Sequence, residues 1–228
     1  MTTRVPKAWI TRTQPGADAS EVLWQDAGFD AHAAPLLTLQ RVTYDEPIPD
    51  NAALIFTSAN GARFCPDIPR DRRVYCIGPA TAEAAHDAGF TDIRFGVGDW
   101  RDLLQIIEPS DAPIVHVGGR HVRGRVSETL TMWGRDASRR VVYGSMPVTD
   151  WPVEPGFYDL ACLYSPLASE TLAALPDRPM PPRIIALSEN VAAPIRERFP
   201  ACCVLIADRP TDGAMIDAAR FAVGNAEG

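Results

Sequence analysis

The chain has 228 residues and a mass of 24.8 kDa, with 46% hydrophobic and 22% charged residues, enough apolar material for one or two globular cores and too much for a disordered chain. Twenty-two Lys and Arg against 29 Asp and Glu leave a formal net charge of −7, which excludes attraction to nucleic acid or an anionic membrane through bulk charge. Lys7 is the single lysine, so the other 21 basic residues are arginines, whose planar fork suits carboxylates and phosphates; codon composition alone explains such a bias.

Short apolar runs recur along the chain: AWI at 8, ALIF at 53, VYCI at 74, IVHV at 114, LACLY at 160, RIIAL at 183 and CCVLIA at 202. They predict buried parallel strands. Between them, Ala17 to Ala27, Ala80 to Ala88, Arg123 to Trp133, Ser169 to Leu175 and Val191 to Arg198 carry apolar residues at spacings of three and four, which predicts amphipathic helices. Ser58, Thr81, Ser165 and Asn190 stand where a short polar side chain can cap a helix. His32 to Tyr44 and Ser138 to Thr149 break the rhythm, being extended and without helical period, and read as two strands of a double linker. This predicts a discontinuous α/β domain of 1–36 plus 148–228, an inserted α/β domain of 44–138, and a linker of 37–43 and 139–147.

An internal repeat supports that division. LIFTS at 54 followed by VYCIGPATA at 74 matches LACLYS at 160 followed by IIALSENVA at 184, each a strand ending in Ser, a helix, a strand, a small turn and a helix. Likewise IVHVGG at 114 parallels AWITRT at 8. The fold class predicted is two related flavodoxin-like open parallel-sheet α/β domains joined by a two-stranded linker.

No run approaches the roughly 18 apolar residues of a membrane span, and Met1 to Ile10 lacks the apolar core of an export signal, so the expected location is the cytoplasm. Five cysteines, an odd number without a CxxC pair, read as buried free thiols. The four histidines are scattered, so no metal site is expected.

In open α/β sheets, ligands bind beyond the carboxyl ends of the strands. The residues there are Thr11 and Arg12, Thr57 to Gly61 (TSANG), Ile77 to Thr81 (IGPAT), Gly118 to Arg120, Ser165 with Pro166, and Ser188 to Val191 (SENV). They are small and hydroxyl-bearing, at helix N-termini whose N–H groups are unpaired, which makes an anion-receptive surface largely from backbone. Other chemistries lack their residues. GVGDW at 96 is no dinucleotide fingerprint, and GGRHVRGR at 118 has no Lys-Ser/Thr pair for a P-loop. No G-x-S-x-G elbow marks Ser58 or Ser165 as a nucleophile, and His116, inside an apolar strand, reads as a satisfied core residue. The segment 118–143 holds six arginines against Glu128 and Asp136; a charged helix face explains most of them, with Arg120 and Arg123 at the strand-to-helix turn and Tyr143 in the return linker.

The order of these segments resembles the uroporphyrinogen-III synthase family over nearly the whole chain. ITRTQPGADASEVLWQDAGFDAHAAPLL at 10–37 is similar to the family's opening strand, TRP-like turn and first helix, with Gln14 intervening before Pro15. FTSANGARF at 56–64, CIGPATAEAAHDAGF at 76–90, GGRHVRG with Arg123, VVY with Tyr143, YSP at 164–166 and DRPTDGAMIDA at 208–218 follow in the family's order. The resemblance implies an enzyme that takes hydroxymethylbilane, a linear tetrapyrrole with eight carboxylates, removes water, inverts the last pyrrole ring through a spiro intermediate and closes the macrocycle without cofactor or metal. It implies Tyr143 as the group assisting departure of the hydroxyl. The carboxylates would then fall to Arg12, Ser58, Asn60, Gly78, Ala80, Thr81, Gly119, Arg120, Arg123, Ser165, Ser188 and Asn190. The working form implied is a cytoplasmic monomer, with hand-over of substrate from the preceding pathway enzyme.

One departure keeps an alternative open. The second copy of the family's IGPTTA is LSENVA, which replaces Gly and Pro with Ser188 and Glu189 and adds a negative charge beside a polyanion. A catalytically weakened paralogue, acting as a tetrapyrrole- or anion-binding regulatory module, fits that change. A two-lobed binding protein for small anions fits less well, since no export signal precedes the motifs.

Overall fold

A computed structural model describes residues 4–110, 112–122, 124–154, 156–176 and 179–224. Its elements run β1 (Lys7–Ile10), α1 (Gly16–Asp26), β2 (Asp30–Ala33), β3 (Leu37–Arg41), β4 (Ala53–Phe56), α2 (Ala59–Arg63), β5 (Arg73–Ile77), α3 (Gly78–Asp87), β6 (Asp92–Gly96) and α4 (Trp100–Gln105). Then follow β7 (Ile114–Gly119), α5 (Val126–Met132), β8 (Ala137–Pro147), β9 (Leu160–Leu163), α6 (Pro166–Ala174), β10 (Arg183–Ala186), α7 (Glu189–Arg198), β11 (Cys203–Ile206) and α8 (Asp212–Gly224). The chain forms two compact units, Met1–Thr38 with Met146–Gly228, and Leu39–Ser145. It crosses from one to the other within β3 and β8.

The first unit's sheet has the order β11-β10-β9-β1-β2 and the second β3-β8-β7-β4-β5-β6. The pairs β1 with β2 and β9, β9 with β10, β10 with β11, β4 with β5 and β7, β5 with β6, and β7 with β8 are all parallel. Strand for strand, β11-β10-β9-β1-β2 corresponds to β6-β5-β4-β7-β8, with the chain order permuted. The order therefore reverses between β9 and β1 in one sheet and between β4 and β7 in the other, and these reversals are where open α/β sheets bind ligands.

Helices cover both faces of each sheet, which is why the central strands read as unbroken apolar runs. All six residues of β7 and all four of β9 are buried. In the second unit Leu54, Phe56, Val115 and Val117 pack with Ala62, Ala85 and Phe90, while Ile55, Tyr75 and Ile114 turn to the opposite face against Leu103, Leu104 and Leu130. In the first, Ile10 and Cys162 meet Trp24 and Met215, whereas Trp9, Ala161 and Leu163 meet Leu172, Val191 and Ile195. Each large side chain so removed from water contributes about 1.5–3 kcal/mol.

Several expectations need correction. The stretch His32 to Tyr44 is not one extended strand: His32 and Ala33 belong to β2, and β3 begins only at Leu37. Three elements fall outside the expected strands and helices: β6, because DIRFG is a largely exposed edge strand; α4, because WRDLLQ spans only six residues; and α8, which the amphipathic pattern as read does not include. Among the cysteines, Cys65, Cys76 and Cys162 are buried, but Cys202 is only partly covered and Cys203 is exposed. The arginines of 118–143 do not form a helix face, since α5, VSETLTM, carries none. Instead Arg135 donates to the carbonyls of Glu108 and Ser110, and Arg140, buried, donates to the carbonyl of Glu46 and pairs with its carboxylate at 2.9 Å.

Candidate active site

The richest cluster lies at the reversal point of the second sheet. Ser58, two residues beyond the end of β4, is extended and caps α2, its Oγ accepting from the N–H of Gly61 at 3.3 Å. The same Oγ lies 3.1 Å from the Tyr143 hydroxyl. Gly61 has to be glycine because α2 is pressed onto β7: a Cβ there would stand 2.7 Å from the carbonyl oxygen of Val117.

Tyr143 reaches this spot through an irregularity in β8. Gly118 pairs with Val141 but Gly119 with Tyr143, so one extra residue is accommodated opposite the end of β7. Such a bulge re-aims a side chain. Here it brings the Tyr143 ring over Gly119, where an added Cβ would lie 2.6 Å from the ring. Phe64, at the end of α2, stacks on the ring with centroids 5.1 Å apart. The N–H of Arg120 donates to the Tyr143 carbonyl at 2.9 Å, and Arg139 donates to the carbonyls of Gly119 and Arg120, closing the strand end into a fixed turn.

Beneath the cluster, His116 shares a 2.9 Å hydrogen bond between its Nε2 and the Thr57 hydroxyl. Burial, reinforced by the charge of Arg139 and opposed by Glu128, pushes the imidazole down to about 4. It is therefore neutral at neutral pH and acts as a core hydrogen-bonding group, as the sequence reading expects.

At the reversal point of the first sheet the chemistry differs. Thr11, buried, donates to the carbonyl of Cys162 at 2.7 Å and ties β1 to β9. Tyr164, directly after β9, donates to Asp212 at 2.6 Å, and Arg12 pairs with the same carboxylate at 3.2 Å. The Arg12 guanidinium also lies 5.4 Å from the centroid of the Tyr164 ring. Burial, with Cys162 and the bond to Asp212 adding to it, holds the Tyr164 phenol far above the usual tyrosine range.

The residues singled out from the sequence thus fall into separate groups. Ser58, Gly119, Arg120 and Tyr143 come together in one cluster. Asn60 is the second residue of α2, and its side-chain oxygen accepts from Arg63 at 3.4 Å. Gly78 opens α3 on the neighbouring strand with a φ of +70°, and Ala80 is exposed in the first turn. Thr81 is buried inside that turn and caps nothing, because Ile77 holds the cap position. Ser165 caps α6, accepting from the N–H of Ala168 at 3.2 Å. Ser188 stands at the cap of α7 without a side-chain bond, and Asn190, the second helical residue, is exposed and no cap. Glu189 pairs with Arg196 at 2.7 Å, so part of its charge is met on its own helix. Arg123 lies outside the described residues. Phe64, Arg139 and Asp212 were missed, since their roles depend on contacts across tens of residues.

Comparison with known proteins bears on the family and the fold. The family model described as uroporphyrinogen-III synthase HemD matches residues 18–217. No curated protein sequence matches the chain. Among solved structures, uroporphyrinogen-III synthetase from Helicobacter pylori is similar with a TM-score of 0.61 at 15% identity, over 96% of this chain and 100% of that one. Uroporphyrinogen III synthase from the extremely thermophilic bacterium Thermus thermophilus matches at 14% identity and a TM-score of 0.41, over 98% of this chain and 100% of that one. The Helicobacter likeness shows the α/β fold; the sequence family rests on the match over 200 consecutive positions of the chain, 18–217. The chain belongs to the uroporphyrinogen-III synthase family, the cyclising hydro-lyases of haem biosynthesis.

Proposed function

We propose that this chain closes hydroxymethylbilane to uroporphyrinogen III at the carboxyl end of its second sheet, with Tyr143 as the residue that assists loss of the hydroxyl. The observation that carries the reading is the hydrogen-bonded line Gly61 N–H, Ser58 Oγ, Tyr143 Oη. With the amide donating to Ser58, the serine hydroxyl proton is free to point at the phenol oxygen. The phenol proton is then left for a ligand, and successive donors polarise one another.

In the reaction, the terminal pyrrole nitrogen's electron pair pushes out the hydroxyl of the hydroxymethyl arm. A donor at the leaving oxygen lets it depart as water. The substituted α-carbon of the ring at the other end then attacks the exocyclic methylene left by the water, giving the spiro intermediate. That ring's original methylene bond breaks and re-forms at its other α-carbon, and the proton lost there restores the pyrrole and replaces the one given to the leaving water. The substrate carries every reacting atom, so holding its ends together supplies much of the rate, on the order of 7 kcal/mol or more. The carboxylates are held in this proposal by turns rather than by one clamp. Gly78, Ala80 and Thr81 at α3, Ser165 at α6, and Ser188 and Asn190 at α7 present helix N-terminal amides. Arg12, Asn60, Arg120 and Arg123 add side-chain donors.

The same proposal treats 1–36 with 148–228 and 44–138 as the two working domains of a cytoplasmic monomer that receives its substrate from the enzyme before it. The test is Tyr143→Phe. The rate of isomer III formation should fall while the fold persists, and an unaltered rate would remove Tyr143 from the mechanism.

A further inference from the structure

Next to Tyr143 the second unit holds a cavity of about 340 Å³, lined by Arg41, Tyr44, Phe64, Pro66 and Val142 among others. Phe64 is common to both places, lining the cavity and stacking on the Tyr143 ring. The cavity lies at the lower end of small-molecule sites, about 300–1,000 Å³, the scale of one substituted ring rather than of a tetrapyrrole.

Its edge carries a single arginine. Arg41 is exposed, with its guanidinium 5.7 Å from the Phe64 centroid, and it spends one Nη1 donor on the Phe64 carbonyl at 2.8 Å. No ion pair binds it among the described residues. An aromatic wall with a single arginine at its edge suits a flat ring bearing a carboxylate arm, the ring lying against Phe64 and Tyr44 and the arm on Arg41.

We propose that this cavity seats one pyrrole ring of the linear substrate, with an acidic arm of that ring on Arg41, so that the neighbouring reacting ring is presented to Tyr143. The proposal rests on the reading of the activity given above. Arg41 is thus a binding residue for the family's reaction, and its loss acts on KM rather than on the chemical step.

Arg41→Gln is expected to raise KM for hydroxymethylbilane about tenfold while kcat stays within about threefold and Tm is unchanged, one ligand carboxylate having lost its partner. Arg41→Lys should recover part of the loss. Thr43→Trp, which fills the cavity from an exposed lining position, provides a second variant with the same expected rise. A monopyrrole carrying one acetate and one propionate arm should raise the Tm of the wild-type protein, and Arg41→Gln should abolish the shift. If the wild type shows no turnover, the reading of the activity fails by itself, and the monopyrrole shift alone decides the cavity. Unchanged KM in Arg41→Gln and Thr43→Trp, or, without turnover, no Arg41-dependent shift, overturns the proposal.

Discussion

The two sheets present corresponding reversal points, and what each places there is chemically different. Counting three residues back from the capping serines, Ile55 is paired with His116 beside Ser58, and Cys162 with Ile10 beside Ser165. Histidine in one sheet thus stands where isoleucine stands in the other. The position after the strand is Thr57 in the second unit and Tyr164 in the first. Tyr164 gives its proton to a carboxylate already paired with Arg12, whereas among the described residues Tyr143 has only the neutral Ser58 hydroxyl as a side-chain hydrogen-bond partner. One phenol is committed to a charged partner, whereas the other shares its bond with a hydroxyl that can donate or accept. The fold repeats, and under the proposal above the partner of the phenol decides which end does chemistry.

That contrast is most sharply broken by exchanging the hydroxyls. Tyr143→Phe should lower kcat by roughly 10²- to 10⁴-fold, the range for a lost proton donor, with Tm unchanged within about two degrees. Tyr164→Phe should leave kcat within about threefold but lower stability by about 1.5–3 kcal/mol, as expected when a hydrogen bond to a charged group is removed. Steady-state kinetics with thermal denaturation on both variants checks the pair; equal kinetic losses would erase the distinction.

A smaller difference follows from His116. Its folded pKa of about 4 lies below the unfolded value of 6.5, so the unfolded chain binds the extra proton. The associated stability is fully present above 6.5 and falls as pH drops towards 4, by about 3 kcal/mol in total. Denaturant unfolding between pH 7 and pH 4 should show this loss in the wild type and not in His116→Asn, whatever the latter's baseline stability.

Gly119→Ala probes the close approach that seats Tyr143. Because the added Cβ would lie 2.6 Å from the ring, the tyrosine must shift, and kcat should fall about tenfold, a cost near 1.4 kcal/mol. Smallest of all are the caps. Ser58→Ala and Ser165→Ala should each lower stability by about 1 kcal/mol. Only Ser58→Ala should also lower kcat, by a few-fold, because only Ser58 touches the proposed donor. An equal kinetic effect at Ser165 would shift the chemistry towards the first unit.

Much of this architecture was legible in the sequence. The central strands announce themselves because burial on both faces demands continuous apolar residues, as in IVHV and LACL. Ser58 and Ser165 follow their strands by two residues and cap the helices as expected, since an extended serine before a helix satisfies an amide of the first turn. The edges were harder: β6 has no fully buried residue and so carries no apolar run, and α4 is held by the Asp99 and Asp102 capping box rather than by a long apolar stripe. Thr81 and Asn190 were misread because a hydroxyl or amide near a helix start is equally at home inside its first turn.

The site itself was legible as types of residue and not as contacts. Ser58 and Tyr143 are 85 positions apart, and the bulge that joins them leaves no mark in the run RRVVYG. The arginine-rich segment looked like a solvated helix face because charge carries no direction along a sequence. In the fold Arg139 and Arg140 sit on β8 and turn to backbone carbonyls, and so organise the strand end instead of decorating a surface.

The central claim is tested most directly by supplying hydroxymethylbilane to the purified protein and resolving the porphyrin isomers after oxidation. The account predicts isomer III at a rate well above spontaneous closure, and a return towards isomer I in Tyr143→Phe. Isomer I alone from the wild-type protein, at the spontaneous rate, would contradict it.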